Sequence, residues 1–195
     1  SWRGERLELD APLGVSVEET QSDFADLASF TDTSLTRIDL RPAASLPLYP
    51  APALILDLDI AADGVLTRLD YAAYASAARE GADEKARLEE ARGGVSAGGR
   101  LSVADTVFIT LRGRAAVRGV RSESDEIANA EGDATTPGFA GQAGIVYRPV
   151  EWGRVFARYD RVYRYPALDE QVTFYFAPGD FYGGLDPEVG DSVDA

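Results

Sequence analysis

The clearest structural signal in this chain lies between Thr106 and Arg118, where the sequence reads TVFITLRGRAAVR. Polar and apolar side chains alternate along this stretch, and a period of two residues is typical of a β-strand whose two faces meet different surroundings. At about 13 residues it is longer than the usual 5 or 6 of a soluble strand, and it is long enough to cross a bilayer at a tilt. One face carries Val107, Ile109, Leu111, Gly113, Ala115 and Val117, and the other carries Thr106, Phe108, Thr110, Arg112, Arg114, Ala116 and Arg118. The stretch therefore predicts a strand with one apolar face and one arginine-bearing face.

The same alternation recurs elsewhere along the chain. It is visible around residues 7–10, 37–41, 54–60, 140–148 and 153–165. In the last of these segments Val155, Ala157, Tyr159 and Tyr163 share the apolar face, while Arg161 also falls on it as an exception. The pattern predicts an all-β antiparallel sheet of about eight strands, but it fits a soluble β-sandwich as well as a membrane barrel.

The connections between these segments favour the barrel, because short and long ones alternate as they do in outer-membrane barrels. The predicted short turns are residues 11–14, 42–52, 101–105 and 149–152, and the predicted long loops are about 21–33, 72–86, 122–139 and 166 onward. Aromatic residues near the strand ends, Trp152 together with Tyr159, Tyr163 and Tyr165, are placed as interfacial girdles would be. We therefore expect a partial transmembrane β-barrel with short periplasmic turns and long extracellular loops.

Charge is distributed unevenly along the chain. The net charge is -14, and residues 18–32, 122–139 and 166–195 hold 17 acidic residues and no basic one. Acid is thus concentrated in the predicted long loops, and the negative total argues against a nucleic-acid partner.

Composition also narrows the chemistry. The chain has no Cys and no His, which removes thiolate ligands, cysteine nucleophiles and the commonest general base. We predict no enzymatic activity, no cofactor and no metal site. The Asp and Glu pairs lie in polar segments without an apolar pocket that could raise a carboxyl pKa.

Two motifs near the end of the chain add a family resemblance. The stretch Tyr163–Glu170 reads YRYPALDE, and Leu185–Glu188 reads LDPE after a Gly-rich and Tyr/Phe-rich segment. Together with the strands before them, they resemble part of a TonB-dependent outer-membrane receptor, in which an aromatic-Arg-x-Pro-x-Leu-x-Glu pattern ends a late strand and Leu-x-Pro-Glu opens the next. The matching residues are Arg164, Pro166, Leu168, Glu170, Leu185, Pro187 and Glu188.

The resemblance implies a function as well as a fold. It implies that residues 1–195 are an internal part of a β-barrel of about 22 strands, in the outer membrane of a Gram-negative bacterium. The whole receptor would take up a scarce ligand, such as a ferric siderophore, with energy delivered by TonB through a plug domain for which we find no segment in this chain. Outer-membrane lipid and lipopolysaccharide are its expected surroundings.

Four arginines are the candidate ligand-binding residues. An arginine that faces lipid at the bilayer midplane costs roughly 2–4 kcal/mol, so we expect Arg112, Arg114, Arg158 and Arg164 to face the lumen. Guanidinium groups there would suit an anionic ligand. The alternative is that they pair with Asp39, Asp57, Asp59 and Asp160 and only build a polar wall.

Other interpretations stay open. A small outer-membrane barrel with a structural or adhesive role would explain the loop pattern, and a soluble β-sandwich binding module would explain the alternation. The segment from Ala72 to Arg92 is composed like a solvent-exposed helix, which would be a helical insertion in an external loop.

Overall fold

The strands of this protein pair as a continuous antiparallel meander. The computed structural model describes residues 7–24, 29–74, 76–82, 84–124, 132–166 and 185–195. Its strands are β1 (Glu8–Asp10), β2 (Leu13–Phe24), β3 (Ser29–Leu40), β4 (Ala43–Ala51), β5 (Leu54–Tyr74), β6 (Glu84–Val103), β7 (Val107–Ser124), β8 (Gly132–Val150), β9 (Gly153–Arg164) and β10 (Glu188–Asp194). All ten belong to one sheet, so the described residues contradict the β-sandwich alternative, which needs a second sheet packed against the first.

The ten strands form eight rows. β1 pairs with β4, with Asp10 opposite Ala43, and β2 pairs with β3, with Leu13 opposite Leu40. The two pairings share one continuous register. β3 and β4 in turn pair with the two halves of β5. Each of these first two rows is thus one long strand interrupted by two residues, and from β5 onward each strand pairs with its neighbours in sequence.

The interruptions explain two wrong turn predictions. Residues 11–14 and 42–52 were expected to reverse the chain, but the chain runs straight through Pro12 and Pro42. Proline lacks the N–H that a ladder needs, yet its carbonyl still accepts. Arg41 N donates to Pro12 O at 3.1 Å, and Ala62 N donates to Pro42 O at 2.9 Å, so the sheet stays joined at both interruptions.

The two ends of the sheet differ, as predicted, in the length of their connections. At one end, the short-turn end, β4 joins β5 through residues 52–53, β6 joins β7 through 104–106 and β8 joins β9 through 151–152. At the other end the connections are residues 25–28, 75–83, 125–131 and 165–187. The first three are shorter than the sequence suggested, because the strands continue into the polar segments.

The helix expected within Ala72–Arg92 is wrong. β5 continues to Tyr74 and β6 begins at Glu84, with Ala73 opposite Glu84 and Leu69 opposite Leu88. Ala, Glu and Lys favour helix only weakly, and pairing with two neighbouring strands overrides that preference. Along β6, Ala86, Leu88 and Glu90 are buried on one face.

The two faces of the sheet differ sharply. We call the face that carries Arg112, Arg114 and Arg118 the arginine face, and the face that carries Ile109, Leu111 and Val117 the apolar face. On the apolar face Leu111 is 66% exposed and Val155 is 67% exposed. A face of this kind is stable only where something apolar covers it.

The apolar face gives way to charge toward the long-loop end. One cross-strand row holds Arg68, Glu89, Arg121 and Asp133, and the next holds Asp70, Arg87 and Glu123. The sign of the charge alternates both along and across the strands, and we call these seven residues the charge lattice. Arg68, Arg87 and Arg121 are 2.7, 2.8 and 2.7 Å from carboxylate oxygens within it. The lattice marks the edge of the apolar band.

Candidate functional site

Arg112 and Arg114 lie on β7 and reach over β6 to carboxylates on β5. Arg112 Nη2 is 3.0 Å from Asp59 Oδ1, and Arg114 Nη2 is 2.8 Å from Asp63 Oδ2. Glycines on β6 make room for both. A Cβ added to Gly94 would stand 2.7 Å from Arg114 Nη2, and one added to Gly98 would stand 3.1 Å from Arg112 Cγ. The small residues of β6 therefore let the arginines of β7 lie across the arginine face.

Arg114 also reaches in the opposite direction, to β9. Its Nε donates to the hydroxyl of Tyr163 at 3.0 Å, and the ring of Tyr163 lies over Gly138 of β8. Tyr163 then meets Tyr165 edge to face, with ring centroids 5.1 Å apart. Tyr163 thus lies on the arginine face, and its predicted position on the apolar face is wrong. The ladder between β8 and β9 ends at the Gly141–Arg161 pair, so Tyr163 lies beyond the part of β9 that pairs with β8.

A buried ion pair lies beside these tyrosines. Arg118 Nε donates to Glu90 Oε1 at 2.7 Å, and their side chains are only 2% and 6% exposed. The Arg118 guanidinium carbon is 5.8 Å from the ring centroid of Tyr165. Tyr165 is therefore inside this cluster and does not belong to the predicted outer girdle.

Sequence reasoning missed Asp63, Glu90 and the position of Tyr163 as members of this cluster. Glu90 lies in the stretch that composition alone assigned to a helix. The available signal was register, since pairing β6 with β7 puts Glu90 opposite Val120 and beside Arg118 on one face.

The other two candidate arginines are also paired. Arg158 lies opposite Gly144 on the arginine face, and its Nη2 donates to Asp160 at 2.9 Å. Arg164 is the last residue of β9 and lies directly opposite Glu188 in the ladder with β10, which runs unbroken from Arg158. Each of the four candidates thus donates to a carboxylate of the sheet.

Arg164 instead joins the two family motifs. Its Nε and Nη2 donate to the two carboxylate oxygens of Glu188 at 3.0 and 2.9 Å, across the β9–β10 pair. Pro166 is buried, Leu185 and Pro187 lie just before β10, and Leu168 and Glu170 lie outside the described residues. The motifs therefore meet where the chain leaves β9 and enters β10.

This arrangement builds a polar wall. The acidic partners of Arg112 and Arg158, Asp59 and Asp160, are two of those that the sequence suggested for a purely structural role. In the described parts of the chain no three acidic side chains gather closely enough to hold a metal ion. Nor does the described structure include a helix with the length and hydropathy needed to span a membrane.

Several solved structures share this fold. The unliganded ferric citrate transporter FecA matches with a TM-score of 0.67 and 9% identity, over 95% of this chain and 28% of that one. The alcaligin outer-membrane receptor FauA of Bordetella pertussis matches with a TM-score of 0.67 and 16% identity, over 82% and 26%. The ferric yersiniabactin uptake receptor FyuA of Yersinia pestis matches with a TM-score of 0.64 and 12% identity, over 97% and 29%. The chain thus spans less than a third of the length of each of these proteins.

Sequence comparison gives the family directly. No curated protein sequence matches the chain. A family model described as TonB dependent receptor-like, beta-barrel matches residues 20–195, which is most of the sequence. The meander, the two unlike faces and the meeting of the two motifs agree with that match. The chain belongs to the TonB-dependent receptor β-barrel family.

Proposed function

We propose that this chain forms part of the barrel wall of an outer-membrane receptor that takes up a small ligand with energy from TonB. The observation that carries the proposal is the contrast between the two faces of a sheet of this family. The apolar face is exposed over a band that ends at the charge lattice, as a lipid-facing surface requires. The arginine face is rich in ion pairs, as a lumenal surface would be. On this proposal residues 1–195 are one partial barrel domain.

The ligand we propose is a ferric siderophore or a similar anionic iron complex. The names of FecA and FyuA refer to ferric citrate and ferric yersiniabactin. Arg112, Arg114 and Arg158 offer guanidinium groups on the proposed lumenal face, each partly exposed. A charged ligand would have to compete with the carboxylates that these residues already bind, so we propose a secondary role for them in affinity.

The partners follow from the same proposal. Outer-membrane lipid would cover the apolar face, lipopolysaccharide would meet the charge lattice, and TonB would act through a plug domain. We propose no nucleic-acid partner. A small outer-membrane barrel with a structural or adhesive role is the remaining alternative, and ligand uptake distinguishes it from a receptor.

The test uses the native protein in its own bacterium. We expect it in the outer-membrane fraction, with a gel mobility that changes on boiling, as folded β-barrels show. Deletion of its gene should reduce uptake of radiolabelled iron from at least one ferric siderophore under iron limitation, and the intact gene should restore it. Recovery from the soluble fraction would contradict the proposed location. Outer-membrane location with unchanged uptake across a siderophore panel would favour the structural alternative.

A further inference from the structure

Arg100 and Arg148 differ from most other arginines on the arginine face. Arg37, Arg92, Arg112, Arg114, Arg118 and Arg158 each lie within ion-pair distance of a carboxylate. Arg100 on β6 and Arg148 on β8 have no carboxylate partner in the described parts of the chain, and both are exposed. Each therefore keeps its guanidinium donors available to a ligand.

Both unpaired arginines contact one aromatic ring. The guanidinium carbon of Arg100 is 5.0 Å from the ring centroid of Phe108, and that of Arg148 is 5.4 Å from it. Phe108 lies on β7, between the two strands that carry the arginines, and directly opposite Ser102 and Val146. Attraction between a cation and the ring face holds each guanidinium group in place without using up its hydrogen-bond donors. Two like charges are thus fixed near one point.

The position of this group is also informative. Arg100 precedes the end of β6 at Val103 by three residues, and Arg148 precedes the end of β8 at Val150 by two. The group therefore lies near the short-turn end, away from the long-loop end where Arg118 and Tyr165 are buried. Arg154, at the start of β9, is a third exposed arginine at this end.

We propose that Arg100, Arg148 and Phe108 form a binding site for a small dicarboxylate anion. One carboxylate would accept hydrogen bonds from each guanidinium group, and Phe108 would keep the two groups at a fixed spacing. The site rests on the proposed function in one respect, which is that the arginine face is lumenal. There it would be a second binding site for an anionic ligand, near the short-turn end. Binding itself can be measured without transport.

Asp57 is the carboxylate that would compete most directly with an anionic ligand for Arg100. It lies directly opposite Arg100 in the β5–β6 ladder, yet the Arg100 guanidinium lies over Phe108 and does not pair with it. A carboxylate at that position lowers the local positive potential. We therefore expect Asp57→Asn to bind a dicarboxylate more tightly than the unmodified protein does.

The experiment is calorimetric titration of the detergent-solubilised native protein with succinate at low salt, with acetate as the monocarboxylate comparison. We expect succinate to bind about tenfold or more tightly than acetate, because it can engage both arginines. Arg100→Gln and Arg148→Gln should each weaken succinate binding about tenfold and leave acetate nearly unchanged. Phe108→Leu should weaken it a few-fold while keeping both charges.

Arg37→Gln is the matched control, because it removes one positive charge from the same face at a residue that already pairs with Asp39. It should leave succinate binding unchanged. If Arg37→Gln and Arg100→Gln weakened succinate binding equally, the effect would come from the overall charge of the face and not from a specific site, and the proposal would be overturned. An absence of succinate binding in folded protein, which is the result expected if a polypeptide segment fills the site, would also overturn it. Succinate binding together with siderophore uptake that is unchanged on deletion of the gene would count against the transport role alone.

Discussion

At the scale of single residues, the arginine face depends on positions where a side chain is absent. Gly138 is the sharpest case, since an added Cβ would stand 2.5 Å from Cε2 of Tyr163. Gly138→Ala should therefore push the Tyr163 ring away and break its hydrogen bond with Arg114. We expect a loss of about 1–3 kcal/mol in the free energy of unfolding, as overpacking usually costs. Urea unfolding of the native protein in detergent, followed by tryptophan fluorescence, measures it.

Gly113→Ala is the control for this prediction, because Gly113 has no atom within 4 Å of an added Cβ. It should be neutral or slightly stabilising. Combining Gly138→Ala with Tyr163→Ala should cost less than the two separate losses together, because the clash is then gone. Strict additivity would show that the Tyr163 ring does not rest on Gly138.

Residue-scale prediction from sequence succeeded where alternation is unbroken. Arg112, Arg114 and Arg158 lie on the predicted face because their strands are regular around them. It failed for Tyr163, whose ring contacts Gly138 and Arg114 beyond the part of β9 that pairs with β8. Ion partners such as Asp63 depend on a third strand and on an intervening glycine, neither of which a local pattern reveals.

At the scale of elements, the turn between β6 and β7 is strained. Ala104 and Asp105 have φ values of 48° and 53°, in the left-handed region, and Thr106 N donates to Val103 O at 3.0 Å. A side chain with a Cβ pays a steric cost in this region that glycine does not. Ala104→Gly should therefore stabilise the protein by about 1 kcal/mol, measured by the same urea unfolding.

Ala53 provides the comparison for the turn. It lies in the connection between β4 and β5, and it does not have a positive φ. Ala53→Gly should be neutral or destabilising, because glycine there only adds freedom to the unfolded chain. Stabilisation of similar size at both turns would rule out the backbone strain as its source.

The sequence predicts a strand well where the alternation of its own residues is enough to identify it. β7 was recognised because both of its faces are uniform over most of its length. The sequence pattern divides the rows through Pro12 and Pro42 at the wrong places, because proline usually marks a turn. The hydrogen bonds that keep the sheet joined at these prolines come from neighbouring rows, which a local pattern does not reveal. β6 was obscured because helix propensity is local and strand pairing is not.

At the scale of the whole molecule, the cost of placing an arginine in the apolar band should depend on how deep the position lies in the bilayer, and not only on how exposed the side chain is. Leu111 and Leu66 are 66% and 58% exposed, but Leu111 lies within the band and Leu66 adjoins the charge lattice. If lipid covers the band, Leu111→Arg should cost about 2–4 kcal/mol and Leu66→Arg about 0–1 kcal/mol. The measurement is reversible urea unfolding in lipid vesicles. Equal and small costs at both positions would mean that the band faces water.

The charge lattice has a consequence for the electric field around the molecule. Opposite charges that alternate over adjacent positions cancel one another, and the field of such an array fades within roughly the 8–10 Å Debye length of physiological salt. The lattice itself therefore adds little to the long-range attraction or repulsion that a charged solute meets, because long-range steering needs a surplus of one sign. The surplus at this end of the sheet comes from the acidic long-loop segments, so the field there is negative even though the lattice is nearly neutral.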